Sequence, residues 1–208
     1  MLISRFCLFR VAPWLLTGLL LATAGCRPSE AGAAKPPVPV KSSGGMHAVM
    51  ETDLGVIEIE FLAADAPNTV ENFRLLAERG YYNGIIFHRI VKGFMIQGGD
   101  PEGTGRGGKS ASGETFADEI DRRSPLYRGG YRRGMVAMAN SGPNTNGSQF
   151  FLMHQDYPLQ PNYTIFGKIT KGLEVVDAMA NTPTTYGADG NRSKPVKPPV
   201  IKKITILP

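Results

Sequence analysis

From His47 to Phe61 the chain reads HAVMETDLGVIEIEF, two short runs in which apolar and polar side chains partly alternate, broken at Asp53-Leu54-Gly55. A period of two sends successive side chains to opposite faces of a strand, so this stretch predicts a β-hairpin. The period then lengthens. Val70, Phe73, Leu76 and Ala77 recur on one helical face, with Asp65 placed to cap, Pro67 suited to the first turn and Gly80 placed to end the helix. Beyond Gly80, glycine-punctuated runs predict short strands at Ile86 to Val91, Phe94 to Gln97, Met135 to Ala139, Phe150 to Met153 and Ile165 to Ile169. A second helix is predicted from Leu173 to Ala180, stopped before Pro183, and a last strand from Val200 to Leu207. Many short antiparallel strands with two helices suit a barrel or sandwich whose open ends the helices cover.

The first 45 residues follow none of these periods. Arg5 and Arg10 precede an apolar run, Val11 to Gly25, that is shorter than the roughly 20 residues a spanning helix needs. Residues 1–25 are therefore expected to be a secretory signal. The run ends in Thr23-Ala24-Gly25-Cys26, which resembles a lipobox, although Thr23 stands where an aliphatic residue is usual. Cys7 would leave with the signal, so Cys26 would remain as a single thiol at the mature terminus of an exported chain. Lipidation of Cys26 accounts for that position, and a disulfide does not. Residues 26–45, rich in Pro, Ala, Ser and Gly, are expected to form a flexible tether to a domain spanning 46–208. The expected location is the cell envelope, anchored by lipid and facing the periplasm or exterior.

The 208 residues carry a net charge of +5, and losing Arg5 and Arg10 leaves 21 basic residues against 18 acidic. That excess is too small to imply nucleic acid. Gly103 to Ser110, GTGRGGKS, matches the phosphate-loop pattern G-x-x-x-x-G-K-[ST] in full. The mechanism behind that pattern needs a strand entering the loop and a helix leaving it, and neither is predicted here, so no nucleotide is expected. The histidines His47, His88 and His154 lack metal-ligand spacing, and His88 is expected to be a hydrogen-bonded interior residue. No metal or other cofactor is expected. The segment Ile120 to Arg133, IDRRSPLYRGGYRR, is expected to be an Arg-rich surface loop.

Two stretches combine large apolar side chains with uncharged hydrogen-bonding groups: Phe87 to Asp100, FHRIVKGFMIQGGD, and Met138 to Phe151, MANSGPNTNGSQFF. Arg89 is the one arginine of the first. With GTGRGGKS, FADE and YTIFGKI, these strings resemble the cyclophilin family of peptidyl-prolyl isomerases in order and approximate spacing, from about Met46 to the C-terminus. The Cys26 motif further resembles a bacterial lipoprotein member. The resemblance implies a closed eight-stranded antiparallel β-barrel capped by two α-helices, a groove on its outer face, and cofactor-free isomerisation of X-Pro bonds. It assigns Arg89 to catalysis. It assigns Phe94, Met95, Phe151 and Leu159 to the proline pocket, Gln97 and the Asn140 backbone to holding the peptide, and Gly105, Ala139 and Gln149 to lining the groove. Tyr163 stands where many members carry histidine. Pro158 stands where many eukaryotic members carry tryptophan, which implies weakened cyclosporin binding. Proline-containing polypeptides are the expected partners, and the domain is expected to be monomeric.

The chemistry suits these residue types. Peptide rotation meets a barrier of about 18–20 kcal/mol because nitrogen shares its lone pair with the carbonyl. As an X-Pro bond twists, that conjugation is lost and the nitrogen becomes basic, so a guanidinium beside it gains a hydrogen bond only in the transition state. No nucleophile is required. Other uses remain open: Arg89 could serve a structural ion pair, Phe94, Met95 and Phe151 could be plain core, and the groove could be a binding module with incidental turnover.

Overall fold

The computed structural model describes residues 46–208, so the expected signal, tether and Cys26 lie outside the described residues. The predicted hairpin forms as β1 (His47–Thr52) and β2 (Val56–Phe61), closed by the Thr52 N–H and hydroxyl, both donating to the Gly55 carbonyl at 2.8 and 2.7 Å. Alternation decides its faces: Ala48, Met50, Ile57 and Ile59 are fully buried. Helix α1 (Pro67–Glu78) buries Val70, Phe73, Leu76 and Ala77 as predicted, and Gly80 turns the chain away at φ +68°. Its cap differs from expectation. Ala66 occupies the cap position with no side-chain bond of its own, and the Glu119 carboxylate satisfies the exposed amides from another part of the chain.

The remaining elements are β3 (Arg89–Val91), β4 (Met95–Gly98), α2 (Pro125–Gly129), β5 (Met135–Met138), β6 (Phe150–Met153), β7 (Ile165–Lys171), α3 (Leu173–Ala180), β8 (Thr184–Tyr186), β9 (Arg192–Pro195) and β10 (Ile201–Leu207). Helix α3 follows Gly172, whose φ of +89° and close approach to the Val56 carbonyl leave no room for a Cβ. The five-residue α2 and the β8–β9 hairpin were not expected. Both are too short or too polar to show an apolar period.

Among the described residues, eight strands form one antiparallel sheet in the order β10-β1-β2-β7-β5-β6-β4-β3. The sheet curls into a half-barrel, and the closed barrel expected from the resemblance is not formed. No ladder joins β3 to β10. The seam holds a single bridge, Ile86 to Val200, with the Phe87 N–H donating to the Pro199 carbonyl at 2.9 Å. On the far side of the bridge the Ile201 N–H donates to the Ile85 carbonyl and the Gly84 N–H to the Ile201 carbonyl, whereas toward β3 Pro198 and Pro199 have no N–H to extend the pairing.

The period of two sorts the apolar residues into separate clusters on the two sides of the sheet. Ile90, Ile96, Val136, Leu152 and Phe150 join the main core inside the curl. There Phe73 sits at the centre of an aromatic group, its ring 4.9 Å from Tyr82, 5.2 Å from Phe166, 5.4 Å from Phe150 and 5.8 Å from Phe61. Met95, Ala137, Phe151, Met153 and Ile165 point the other way and form a second cluster on the outer face. That is why β6 is buried along its whole length.

Candidate active site

Antiparallel pairing lines up the outer face directly. Arg89 opposes Gln97 across β3 and β4, Gln97 opposes Phe151 across β4 and β6, and Phe151 opposes Ala137 across β6 and β5. Opposed residues share a face, so Arg89, Gln97 and Phe151 stand in one row over the second cluster. Met95 and Phe151 floor this shelf, 1% and 4% exposed, with the partly exposed Phe94, Leu159, Ala139 and Tyr163 packed around it. Tyr163 meets Phe151 edge-on at 5.5 Å, and Phe94 lies against Tyr157 at 4.2 Å. The three residues that could have been plain core are thus on the opposite side of the sheet from the main core.

The Ile120 to Arg133 segment supports this shelf from below. Its exposed face carries Arg122, Arg123, Arg128 and Arg132, as expected of a basic surface loop, but Tyr127 and Tyr131 turn inward and are nearly fully buried. The Tyr131 hydroxyl donates to the Tyr163 carbonyl at 2.7 Å and accepts from the Tyr163 N–H at 3.1 Å. The Tyr127 hydroxyl accepts from the Ile165 N–H at 2.9 Å. Burial pushes the Tyr131 phenol up to about 12 and Tyr127 further still, so both remain protonated donors. Arg133 leaves the surface to form a bidentate pair with Asp177 of α3 at 2.7 and 2.9 Å.

Beside the shelf lies a polar cleft of about 400 Å³ lined by Gln97, Gly105 to Lys109, Ala139, Asn140 and Gln149 among others. Gln97 donates to Gln149 at 2.9 Å, and Gln149 donates to the Gly107 carbonyl at 2.8 Å, which holds both amides at the boundary between shelf and cleft. The Asn140 side chain donates to the Asn162 carbonyl at 2.8 Å. Its own backbone N–H and carbonyl take no partner among the described residues, so both are available to an extended peptide. The structure therefore divides the predicted residues in two. Phe94, Met95, Phe151, Leu159 and Tyr163 build the apolar shelf, while Gly105, Ala139, Asn140 and Gln149 line the cleft, with Gln97 between them.

The glycine-rich loop has its own anion. Asp100, fully buried, accepts the backbone N–H groups of Glu102, Thr104, Gly105 and Gly107 at 2.6 to 3.3 Å. Burial opposes its charge, but these four donors outweigh it and hold the carboxyl below its ordinary value. Amides that a phosphate loop would aim at a nucleotide are here aimed at Asp100. His88 also departs from expectation, since neither ring nitrogen has a hydrogen-bond partner. Burial, with Arg89 adding to it against the pull of Asp100, lowers its pKa and favours the neutral ring.

Arg89 makes an ion pair: its Nε donates to Asp189 Oδ2 at 2.9 Å, and its Nη1 lies 3.8 Å from Met95 Sδ. Asp189 sits in the β8–β9 turn, a hundred residues away, and was not singled out from the sequence. The Gly187-Ala188-Asp189-Gly190-Asn191 run signals a turn but says nothing about what the turn touches.

A curled antiparallel sheet with an apolar shelf, a polar cleft beside it and one guanidinium over the shelf defines the site. The family described as "Cyclophilin type peptidyl-prolyl cis-trans isomerase/CLD" matches residues 47–206. The chain is 52% identical over 143 residues to peptidyl-prolyl cis-trans isomerase CYP18-1 of Arabidopsis thaliana, covering 68% of this chain and 87% of that protein. It is 47% identical over 165 residues to peptidyl-prolyl cis-trans isomerase-like 3 of Homo sapiens, covering 77% and 96%. A crystal structure of a Cryptosporidium parvum cyclophilin type isomerase superposes with a TM-score of 0.71 at 39% identity, covering 79% of this chain and 98% of that one. A second structure of that protein, obtained in the presence of the dipeptide Ala-Pro, gives a TM-score of 0.70. The chain belongs to the cyclophilin-type peptidyl-prolyl cis-trans isomerase family and is an isomerase of that class. These relatives are eukaryotic, so they lend no support to the bacterial lipoprotein subtype expected from Cys26.

Proposed function

We propose that Arg89 is the group that lowers the rotational barrier, donating to the proline nitrogen as its conjugation breaks. The observation that carries this reading is the cross-strand row that sets Arg89 beside Gln97 and Phe151 over the Met95 floor. A proline ring seated on Phe151 and Met95 would be held on one side of the twisting bond. Gln97 and the Asn140 backbone would hold the chain on the other, so that binding fixes both ends of the rotation. The Ala-Pro dipeptide present with the Cryptosporidium relative is consistent with a proline on such a shelf.

The clients proposed are proline-containing segments of exported proteins, met at a membrane to which Cys26 is attached by lipid. This rests on the Arg5 to Cys26 sequence, and a mature N-terminus whose mass shows no acyl chain removes it. The catalytic reading is tested by following isomerisation of a Xaa-Pro peptide by NMR exchange. Arg89→Ala should lower the rate by roughly 10²-fold or more, the scale at which losing one charged transition-state donor registers. Equal rates for wild type and variant would remove Arg89 from the mechanism. Wild type at the uncatalysed rate would leave a groove that only binds.

A further inference from the structure

Arginine is a long side chain whose free rotation scatters its donors, and a guanidinium that must point at one nitrogen gains from being fixed beforehand. In this chain the fixing group comes from an element the eight-stranded sheet does not need. The two-stranded β8–β9 hairpin lies outside that sheet, and β9 packs beside β3, which carries Arg89.

The hairpin is built to hold one carboxylate still. Asp189 Oδ1 accepts from the buried Ser193 hydroxyl at 2.7 Å and from the Asn191 N–H at 3.1 Å, which leaves Oδ2 for Arg89 Nε at 2.9 Å. The turn itself is closed by the Gly187 N–H to the Asn191 carbonyl at 2.8 Å. A Cβ at Gly187 would stand 2.6 Å from Ser193 Oγ and 3.0 Å from Asp189 Oδ1, so a larger residue there would disturb the same carboxylate. Partial burial works against the charge of Asp189, but Ser193, Arg89 and the Asn191 amide outweigh it, and the carboxyl sits at about 2. It is ionised wherever the enzyme would be assayed.

The contact at Nε matters for direction. Binding at Nε restrains the rotation of the guanidinium, Nη1 lies against Met95 Sδ, and Nη2 has no partner among the described residues. We propose that Asp189 is a positioning residue for Arg89, and that the β8–β9 hairpin is a clamp that aims the guanidinium across the proline shelf. This rests on the reading of Arg89 given above. Arg89 and Asp189 side chains are 32% and 26% exposed, so solvent screens their attraction, and the effect of the contact is orientation more than stability.

The test compares wild type, Asp189→Ala, Asp189→Asn, Arg89→Ala and the Arg89→Ala/Asp189→Ala double variant. Each is followed by kcat and KM on a Xaa-Pro peptide, with the Arg89 Nε–Hε signal recorded by NMR in the variants that retain Arg89. The expected result is a kcat about 3- to 10-fold lower in Asp189→Ala with KM within about twofold, the signature of lost orientation. Asp189→Asn, which retains an oxygen acceptor, should fall between, and the Nε–Hε signal should move to the position of free arginines in Asp189→Ala. In the Arg89→Ala background, removing Asp189 should change nothing further. An unchanged kcat in Asp189→Ala beside an impaired Arg89→Ala overturns the clamp and leaves Arg89 in place. An equal loss in both backgrounds also overturns it, because the hairpin would then act elsewhere. Arg89→Ala at the wild-type rate overturns the catalytic reading and the clamp with it.

Discussion

The Glu119 carboxylate caps helix α1 from fifty residues away: Oε2 accepts the Thr69 N–H and hydroxyl, both at 2.8 Å, and Oε1 accepts the Asn68 N–H at 3.0 Å and its amide at 2.8 Å. An anion at a helix N-terminus satisfies amides that have no intrahelical partner and complements the helix dipole. The same residue reaches the groove, since its carbonyl accepts from the Tyr127 hydroxyl at 3.1 Å. Core helix and apolar shelf are therefore tied through one residue, by its carboxylate on one side and its backbone carbonyl on the other.

Glu119→Ala should destabilise the protein by about 1–3 kcal/mol, the cost of a lost cap plus unsatisfied donors. Thermal or urea unfolding measures it. A change within about 0.5 kcal/mol, the range of ordinary surface substitutions, would show that water replaces the carboxylate without loss.

Phe73→Ala should cost about 3–5 kcal/mol, because it empties the centre of a group of four aromatic neighbours. The shelf lies on the other side of the sheet, so kcat at a temperature where the variant is folded should stay near wild type. Denaturant midpoints and the isomerase assay together decide whether the two clusters are as separate as the pleat makes them.

Stability should decline as pH falls below about 6.5. His88 and His154 both have lowered pKa values, chiefly through burial, so the unfolded chain takes up protons before the folded one does. For a depressed base the contribution is complete above the unfolded value of 6.5 and is lost as pH falls toward the folded value. Unfolding free energy measured between pH 7.5 and 5 should fall, and His88→Phe, which removes the ring with two unpartnered nitrogens, should flatten the slope. An identical slope in the variant would assign the loss to other groups.

Cyclosporin should inhibit weakly. The exposed Pro158, next to the shelf residue Leu159, offers neither an indole ring nor an N–H donor, and the single tryptophan of the chain is Trp14. A titration showing nanomolar inhibition would contradict this.

Local pattern was enough to place β6 and α3 at their observed limits, to put Pro67 in the first turn of α1, and to gather most of the shelf and cleft residues into two short stretches, with Gly105, Leu159 and Tyr163 outside them. Alternation and helical spacing are properties of neighbours in the chain, so they can be read without knowing the fold. The sequence could also mark Arg89 as the one arginine of the first stretch, leaving open whether it serves chemistry or an ion pair. The structure gives it a place on the outer face and an ion pair as well.

Other features depended on partners far apart in the chain. Glu119 in place of Asp65 at the head of α1, Asp189 on Arg89, and Asp100 inside a loop that reads as a phosphate site are each a choice among many carboxylates. Nothing local distinguishes the one that will be near. The open seam between β3 and β10 is of the same kind, since the lack of donors at Pro198 and Pro199 matters only once the curl has brought Ile86 opposite Val200. Residue type and spacing determined which groups could act. Curvature of the sheet, which sets the distances between remote segments, decided which of them meet.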